Sequence, residues 1–345
     1  MKLRPSPALL ALLLGALLAP AGLAKTRPAA TTAAVAYKGA IIMDAGTGAV
    51  LFADHDEETS PPASMTKLMT FAVLHDKLQS GALTLQTPVT VTADDSKIGG
   101  TQVWLKEKEV FSVEELLYAM MIQSANDAAH ALARTAAGSV PAFVELMNAK
   151  AHELGMLHTT FRTPHGLPPG NRRISEGDLT TPHDFALLAR HLLQKTDIVK
   201  YTSVKRRPFG PPARGTIMDN HDHLLARVAG VDGLKTGFTN GAGFCLTATA
   251  LRNGRRIIVV VMGSPDSKTR DLKVAELLER GFATLPPSVP AVATSAGAVA
   301  PAAAPAPADA SPISAAPLPD NAQAAPADDG SPAIKFTLPP PPKKK

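Results

Sequence analysis

The sequence has only one cysteine, Cys245, among 345 residues, so an internal disulfide and a cysteine-based structural zinc site are both excluded. Aromatic residues make up only 4% of the chain, and its apolar content therefore comes mainly from Ala, Leu, Val and Met. Long basic runs are also missing, because the positive residues are scattered apart from residues 205–207 and 343–345. The sequence therefore shows no basic stripe long enough to track a phosphate backbone, and with a formal net charge of only +5 this argues against a nucleic-acid partner.

The first 24 residues have the pattern of a secretory signal. Lys2 and Arg4 precede an apolar run over residues 8–19, and Gly22 and Ala24 are small residues at the positions that a signal peptidase reads. A transmembrane anchor needs about 20 uninterrupted apolar residues, and this run is shorter. We therefore predict cleavage after residue 24 and an exported protein of the periplasm or cell envelope.

Composition divides the remaining chain into three parts. Residues 25–35 are predicted to be a linker and residues 36–285 one globular unit. Residues 286–345 contain 15 of the chain's 31 prolines, with alanine filling most of the rest. Such a composition cannot bury enough apolar surface to offset its conformational entropy, so we predict a disordered tail. The three lysines that end it leave membrane association an open question.

The order of secondary-structure signals predicts an α/β (α+β) fold. A hairpin surrounds the Gly-rich turn at residues 44–48, and an Asn-Gly turn joins two later strands. Strands at both ends of the unit and helices between them predict an antiparallel sheet, built from both ends and packed against a mostly helical region. Helices are predicted over residues 64–78, 112–123, 140–154, 182–193 and 268–281, and the later strands over 234–239, 244–251 and 257–262.

A Ser-x-x-Lys pattern at residues 64–67 opens the first predicted helix, just after Pro61 and Pro62. Because three residues are close to one helical turn, the side chains of Ser64 and Lys67 share a face and can touch. A serine hydroxyl becomes a nucleophile when a base takes its proton, and a lysine can do so where burial and nearby positive charge lower its pKa. Taken alone, the pattern also fits a capping serine beside a solvated lysine.

Two further patterns carry chemistry. Ser124 and Asn126 form a Ser-x-Asn step between helices, where the hydroxyl can pass a proton and the amide can hold a substrate carbonyl. Alternatively, Ser124 or Asn126 simply caps the next helix. Lys235, Thr236 and Gly237 lie on a predicted edge strand, which offers backbone groups to an extended peptide. There the lysine and the threonine hydroxyl suit a substrate carboxylate. A lysine on an exposed edge strand can also serve only to prevent pairing with another chain.

The three patterns together favour an enzyme, since Ser-x-x-Lys, Ser-x-Asn and Lys-Thr-Gly follow one another as in penicillin-binding proteins and class A β-lactamases. The sequence resembles the low-molecular-mass D-alanyl-D-alanine carboxypeptidases of the penicillin-binding protein group. The resemblance covers about residues 36–285 and includes the segments 61–67, 161–167, 180–184 and 231–239.

The resemblance implies a serine peptidase without a cofactor or metal, acting on peptidoglycan stem peptides that end in D-Ala-D-Ala and inhibited by β-lactams. Ser64 would be acylated by the stem peptide, and Lys67 would be its general base. Ser124 would relay a proton to the leaving D-alanine, and Asn126 would position the substrate.

The resemblance also implies a binding side for the substrate terminus. Lys235, Thr236 and Gly237 would line the carboxylate side, the backbone N–H groups of Ser64 and Phe238 would form the oxyanion hole, and Arg270 would help to hold the carboxylate. Family members often have a histidine where this chain has Phe238, so the role of that side chain does not transfer. Some members also end in a β-rich domain and an anchoring helix, where this chain has its proline-alanine tail.

Other interpretations stay open at this point. His221, Asp222 and His223 offer metal-ligand types at alternate positions, but they fit a loop before the Lys-Thr-Gly strand, and such clusters are more often structural or solvated. A serine β-lactamase would use the same acylation residues, yet no glutamate between Ser124 and Lys235 has the Glu-x-x-Leu-Asn context of class A enzymes. A D,D-endopeptidase would use the same site. An inactive peptidoglycan-binding module would not need the serine and lysine together.

Overall fold

A computed structural model describes residues 36–170 and 173–285. The predicted signal, linker and C-terminal tail lie outside the described residues, and their boundaries stay predictions. Strands are β1 (Gly39–Asp44), β2 (Val50–Asp54), β3 (Pro88–Thr90), β4 (Val110–Ser112), β5 (Arg206–Phe209), β6 (Thr216–Asp219), β7 (Val231–Thr239), β8 (Gly243–Arg252) and β9 (Arg255–Ser264). Helices are α1 (Lys67–Gln79), α2 (Ala93–Ser96), α3 (Val113–Tyr118), α4 (Asn126–Ala137), α5 (Val140–Glu153), α6 (Pro182–Lys195), α7 (Val199–Thr202), α8 (Leu224–Arg227) and α9 (Ser267–Thr284).

The main sheet is built from both ends of the described chain, which confirms the predicted fold class. Its order is β2-β1-β9-β8-β7, and every neighbouring pair is antiparallel. The Asn-Gly turn between β8 and β9 forms as expected, with φ of 50° at Asn253 and 73° at Gly254, a pairing that matches the twist of the strands. The strand with Lys-Thr-Gly, β7, is an edge strand.

The sheet is covered on both faces, which explains why its strands are apolar without alternation. Neighbouring residues of one strand point to opposite faces. Ile41 and Val260 belong to the larger core shared with the helical region, whereas Ile42 and Val259 belong to a smaller core under α9. Burying each such side chain contributes about 1.5–3 kcal/mol, so both layers hold the sheet in place.

One predicted helix differs in its geometry. The side chain of Ser112 accepts a hydrogen bond from the N–H of Glu115 at 3.2 Å, as an N-cap does. The α-helix ends at Tyr118, however, and a π-helical turn over Ala119–Gln123 follows. This wider turn ends at Ser124, whose φ of 62° is left-handed. The π turn therefore sets the direction in which the chain leaves the helix at one of the candidate residues.

Two small two-stranded antiparallel sheets, β3–β4 and β5–β6, have no counterpart among the predicted elements. Their strands are only three or four residues long, and Pro88 and Pro208 interrupt the strand signal. Among the described residues, no helix has both the length and the apolar composition that crossing a bilayer requires.

Candidate active site

The candidate nucleophile lies on a tight turn between two close backbone segments. Ser64 belongs to a 3₁₀ turn, Ala63–Thr66, that leads directly into α1. A Cβ atom at Gly166, which has φ of +83°, would lie 1.9 Å from the carbonyl oxygen of Ala63. A Cβ atom at Gly237 would lie 2.6 Å from the carbonyl oxygen of Pro62. Only glycine permits such approaches, so the loop at residue 166 and the strand β7 both fix the position of the serine.

Lys67 is fully buried and makes three contacts through Nζ. These are 3.0 Å to Oγ of Ser64, 2.7 Å to Oδ1 of Asn126 and 2.8 Å to the carbonyl oxygen of His165. Burial lowers the pKa of this lysine well below its usual value, and the positive charge of Lys235 lowers it further. A neutral amine can donate to the amide and carbonyl oxygens and still direct its lone pair at the Ser64 hydroxyl. This geometry would allow Lys67 to act as a general base for Ser64.

A buried carboxylate joins the serine turn to the loop that holds the lysine. Asp178 accepts hydrogen bonds from the Thr66 hydroxyl at 2.7 Å, the Arg162 N–H at 2.7 Å and the Thr163 N–H at 3.0 Å, with the Thr163 hydroxyl 3.1 Å away. Burial raises the pKa of Asp178, and these hydrogen bonds oppose that shift. The contacts fix the start of the loop that brings the carbonyl of His165 to Lys67.

The Ser-x-Asn step meets the same site. Ser124 is buried and lines a cavity together with Ser64. The amide oxygen of Asn126 accepts from Lys67, and its Nδ2 donates to the carbonyl oxygen of Gly99 at 2.8 Å. The amide thus contacts the lysine amine, and the role in holding a substrate carbonyl that the sequence suggested stays a prediction.

The Lys-Thr-Gly residues form the opposite wall. Lys235 on β7 is buried, and its Nζ donates to the carbonyl oxygen of Thr236 at 3.1 Å. Burial lowers the pKa of Lys235 to about 7, with the negative charge of Asp222 opposing and the positive charge of Arg270 reinforcing the shift. The amine is therefore poised to gain or lose its proton near neutral pH.

The cavity itself has a volume of about 330 Å³. Phe238, half exposed, stacks on Phe244 with ring centroids 4.2 Å apart. Arg270, in the first turn of α9, is buried and is held by Asp271, whose Oδ1 accepts from Nε at 2.9 Å and from Nη2 at 2.6 Å. The structure thus brings together all nine sequence-predicted site residues. Six of them line the cavity, namely Ser64, Ser124, Thr236, Gly237, Phe238 and Arg270. The other three, which are buried behind this wall, are Lys67, Asn126 and Lys235.

The contacts of His221, Asp222 and His223 differ from those that a metal site would require. Oδ1 of Asp222 accepts from the N–H of Leu224 at 3.0 Å, and Nδ1 of His223 lies 3.4 Å from Asp271. Both histidines line the cavity, a role that their sequence pattern did not reveal. Their ligand atoms do not gather into a metal-ligand group.

A second cavity, of about 430 Å³, adjoins the nucleophile turn. Its lining is mostly apolar and includes Pro61, Ala63, Leu167 and Ile174. Residues 239–241, which follow the Lys-Thr-Gly motif, form another part of its wall. The turn of Ser64 therefore adjoins two cavities, one with hydroxyl groups and Arg270 in its wall and one mostly apolar.

Comparison with known proteins agrees with this geometry. The sequence model of the D-alanyl-D-alanine carboxypeptidase family matches residues 25–266. D-alanyl-D-alanine carboxypeptidase DacF of Bacillus subtilis is 35% identical over 71% of this chain and 62% of the relative. The D-alanyl-D-alanine endopeptidase of Escherichia coli is 33% identical over 76% of this chain and 83% of the relative.

Solved structures show the same fold. Penicillin-binding protein D2 from Listeria monocytogenes, in its ampicillin-bound form, is 28% identical and has a TM-score of 0.64 over 72% of this chain and 97% of that one. The fold and the site thus define a penicillin-binding type of protein, and the chain belongs to the D-alanyl-D-alanine carboxypeptidase family. The match spans about 62% of the length of the first curated relatives.

Proposed function

We propose that this chain is a serine-type D-alanyl-D-alanine carboxypeptidase that removes the terminal D-alanine from peptidoglycan stem peptides. The observation that carries the proposal is the contact of 3.0 Å between Nζ of Lys67 and Oγ of Ser64, made by a buried lysine whose pKa is lowered. Family membership and the relatives' names support the substrate class.

In the proposed acylation step, Lys67 takes the proton of the Ser64 hydroxyl while Oγ attacks the carbonyl carbon of the penultimate D-alanine. The backbone N–H groups of Ser64 and Phe238 donate to the oxygen that becomes negative. The C–N bond then breaks, and Ser124 passes a proton to the departing amine. Water hydrolyses the resulting ester on Ser64, which releases the shortened peptide and restores the hydroxyl.

The walls of the site fit the two ends of such a substrate. Arg270 and Lys235 place positive charge beside the first cavity, and the hydroxyl of Thr236 adds a donor for the terminal carboxylate. Because the pKa of Lys235 is near 7, a bound carboxylate favours its protonated form. The mostly apolar second cavity has room for the part of the stem peptide that stays on the enzyme.

Export and domain organisation belong to the same proposal. A periplasmic or envelope location follows from the signal pattern at residues 1–24, and it places the enzyme with its substrate. The folded unit would cover residues 36–285, followed by a disordered tail.

Release of D-alanine from a synthetic stem pentapeptide ending in D-Ala-D-Ala tests the proposal. We expect Ser64→Ala and Lys67→Ala to lose at least about a thousandfold in rate, as removal of a nucleophile or its base does. Lys77→Ala, which removes a half-buried lysine from the last turn of the same helix, is the matched control and should retain full activity. Release that survives in Ser64→Ala would exclude this mechanism.

A cross-linked stem-peptide dimer tests the main alternative, D,D-endopeptidase activity. The similarity to the Escherichia coli endopeptidase over 83% of its length favours including it. Cleavage of the dimer at a higher kcat/KM than the pentapeptide would identify an endopeptidase. Rapid hydrolysis of a penicillin without D-alanine release would instead indicate a β-lactamase, and binding without any turnover an inactive module.

A further inference from the structure

Trp104 is the only tryptophan of the chain, and it is 71% exposed. Its φ of 61° is left-handed, a conformation that bulky residues rarely adopt and that costs conformational free energy. Such a backbone conformation persists only when the surrounding structure imposes it. The loop around Trp104 shows how it does so.

Hydrogen bonds fix the backbone on both sides of Trp104. The buried carboxylate of Asp127 accepts from the N–H of Val103 at 3.3 Å and from the N–H of Leu105 at 3.0 Å. Nη2 of Arg214 donates to the carbonyl oxygens of Val103 at 3.0 Å and of Trp104 at 2.6 Å. Val103 and Leu105 are both buried, so the chain is anchored before and after the indole while the indole itself is displayed to solvent.

The loop that carries the exposed indole lies next to the candidate active site. Thr101, three residues earlier, lines the cavity that contains Ser64, and its carbonyl oxygen accepts from the N–H of Asn126 at 2.8 Å. Three residues of extended chain span at most about 10 Å. The backbone of Trp104 is therefore within that distance of the cavity wall, and Asp127, which fixes the loop, directly follows the Asn126 that holds Lys67.

We propose that Trp104 is a stacking platform for a sugar ring of the glycan strand that carries the stem peptide, an inference that rests on the proposed function. A pyranose ring presents a face of C–H bonds that packs on an aromatic plane, and a rigid indole provides that plane at low entropic cost. A peptide that enters the cavity from the glycan strand brings such a ring to the rim of the site. The platform then gives the enzyme a preference for substrates attached to glycan over free peptides.

The indole also provides its own signal, because emission excited selectively from tryptophan, apart from the three tyrosines, reports Trp104 alone. We expect chitotetraose, a peptide-free oligosaccharide of N-acetylglucosamine, to change the emission in a saturable way. This measurement needs no catalysis, so it separates failure of the platform from failure of the proposed function. An emission unaffected by the sugar, or one that responds only to phosphatidylethanolamine and phosphatidylglycerol vesicles, would overturn the platform.

Kinetics give the second test. The ratio of kcat/KM for a disaccharide-linked pentapeptide to that for the free pentapeptide should fall at least threefold in Trp104→Ala, mainly through KM, and recover in Trp104→Phe. Leu157→Ala removes a comparably exposed apolar side chain and should leave the ratio unchanged. An equal ratio in wild type and Trp104→Ala would contradict the proposal, even if both release D-alanine.

Discussion

At the scale of single residues, Lys67 shows what sequence spacing can and cannot predict. Its contact with Ser64 follows from their separation by three positions on one helical turn. Its other two partners, the Asn126 amide and the His165 carbonyl, come from segments 59 and 98 residues away. Only the tertiary fold brings these together, so the sequence could identify the candidate base but not the contacts that orient it.

His165 gives a prediction at the same scale. Burial lowers its pKa to about 3 from an ordinary 6.5, so between these values the unfolded chain binds a proton that the folded protein does not. Stability therefore falls as the pH decreases through this window, by about 2 kcal/mol from this group between pH 7 and pH 5. His165→Asn, whose amide oxygen can replace Nδ1 as acceptor for the Leu167 N–H, should remove this part of the pH dependence.

Urea unfolding at pH 7 and pH 5 checks this, with His152→Asn, an exposed histidine on α5, as the control. We expect the control to match the wild-type change in free energy of unfolding between the two pH values. An identical change in His165→Asn would show that the buried imidazole does not contribute to acid sensitivity.

At the scale of elements, the position of Ser64 depends on the loop at residue 166. Gly166→Ala combines a left-handed φ of +83° with a Cβ atom 1.9 Å from the carbonyl oxygen of Ala63. Because the obstructing atom is backbone, the nucleophile turn must shift, and we expect at least a hundredfold loss in kcat/KM for D-alanine release.

Gly155 provides a matched control, since its φ is +74° but a Cβ atom there would meet nothing within 4 Å. Gly155→Ala should cost about 1–2 kcal/mol of stability from its backbone conformation alone and leave kcat/KM unchanged. If both variants lose activity equally, or Gly166→Ala retains it, close packing of this loop does not position the serine.

The elements that sequence patterns predicted well are those with strong local signals. The Thr181 cap, Pro182 and the apolar periodicity that follows correctly predict α6. The π-helical turn before Ser124 has no comparable signal, because its sequence continues that of an ordinary helix. The bend at Ser124 therefore depends on tertiary contacts rather than on local propensity.

At the scale of the whole molecule, the sheet joins the first and last described segments, since β1 pairs with β9 and α9 packs on the sheet. Leu285, the last described residue, is buried in the smaller core. Deleting residues 290–345 should therefore leave both the unfolding midpoint and the activity on small peptides within error of the full chain. Deleting from residue 267 removes α9 and should abolish folding. Loss of folding in the shorter deletion would contradict the predicted domain boundary.

The central claim is that Ser64 is a nucleophile that an uncharged Lys67 activates. Mass spectrometry after exposure to benzylpenicillin tests it most directly, because attack on the β-lactam carbonyl breaks the ring C–N bond and leaves the whole drug attached. We predict an increase equal to the full mass of the penicillin, located on the peptide that contains Ser64 and absent from Ser64→Ala and Lys67→Ala. An adduct on another peptide, or one that persists in Ser64→Ala, would contradict the account.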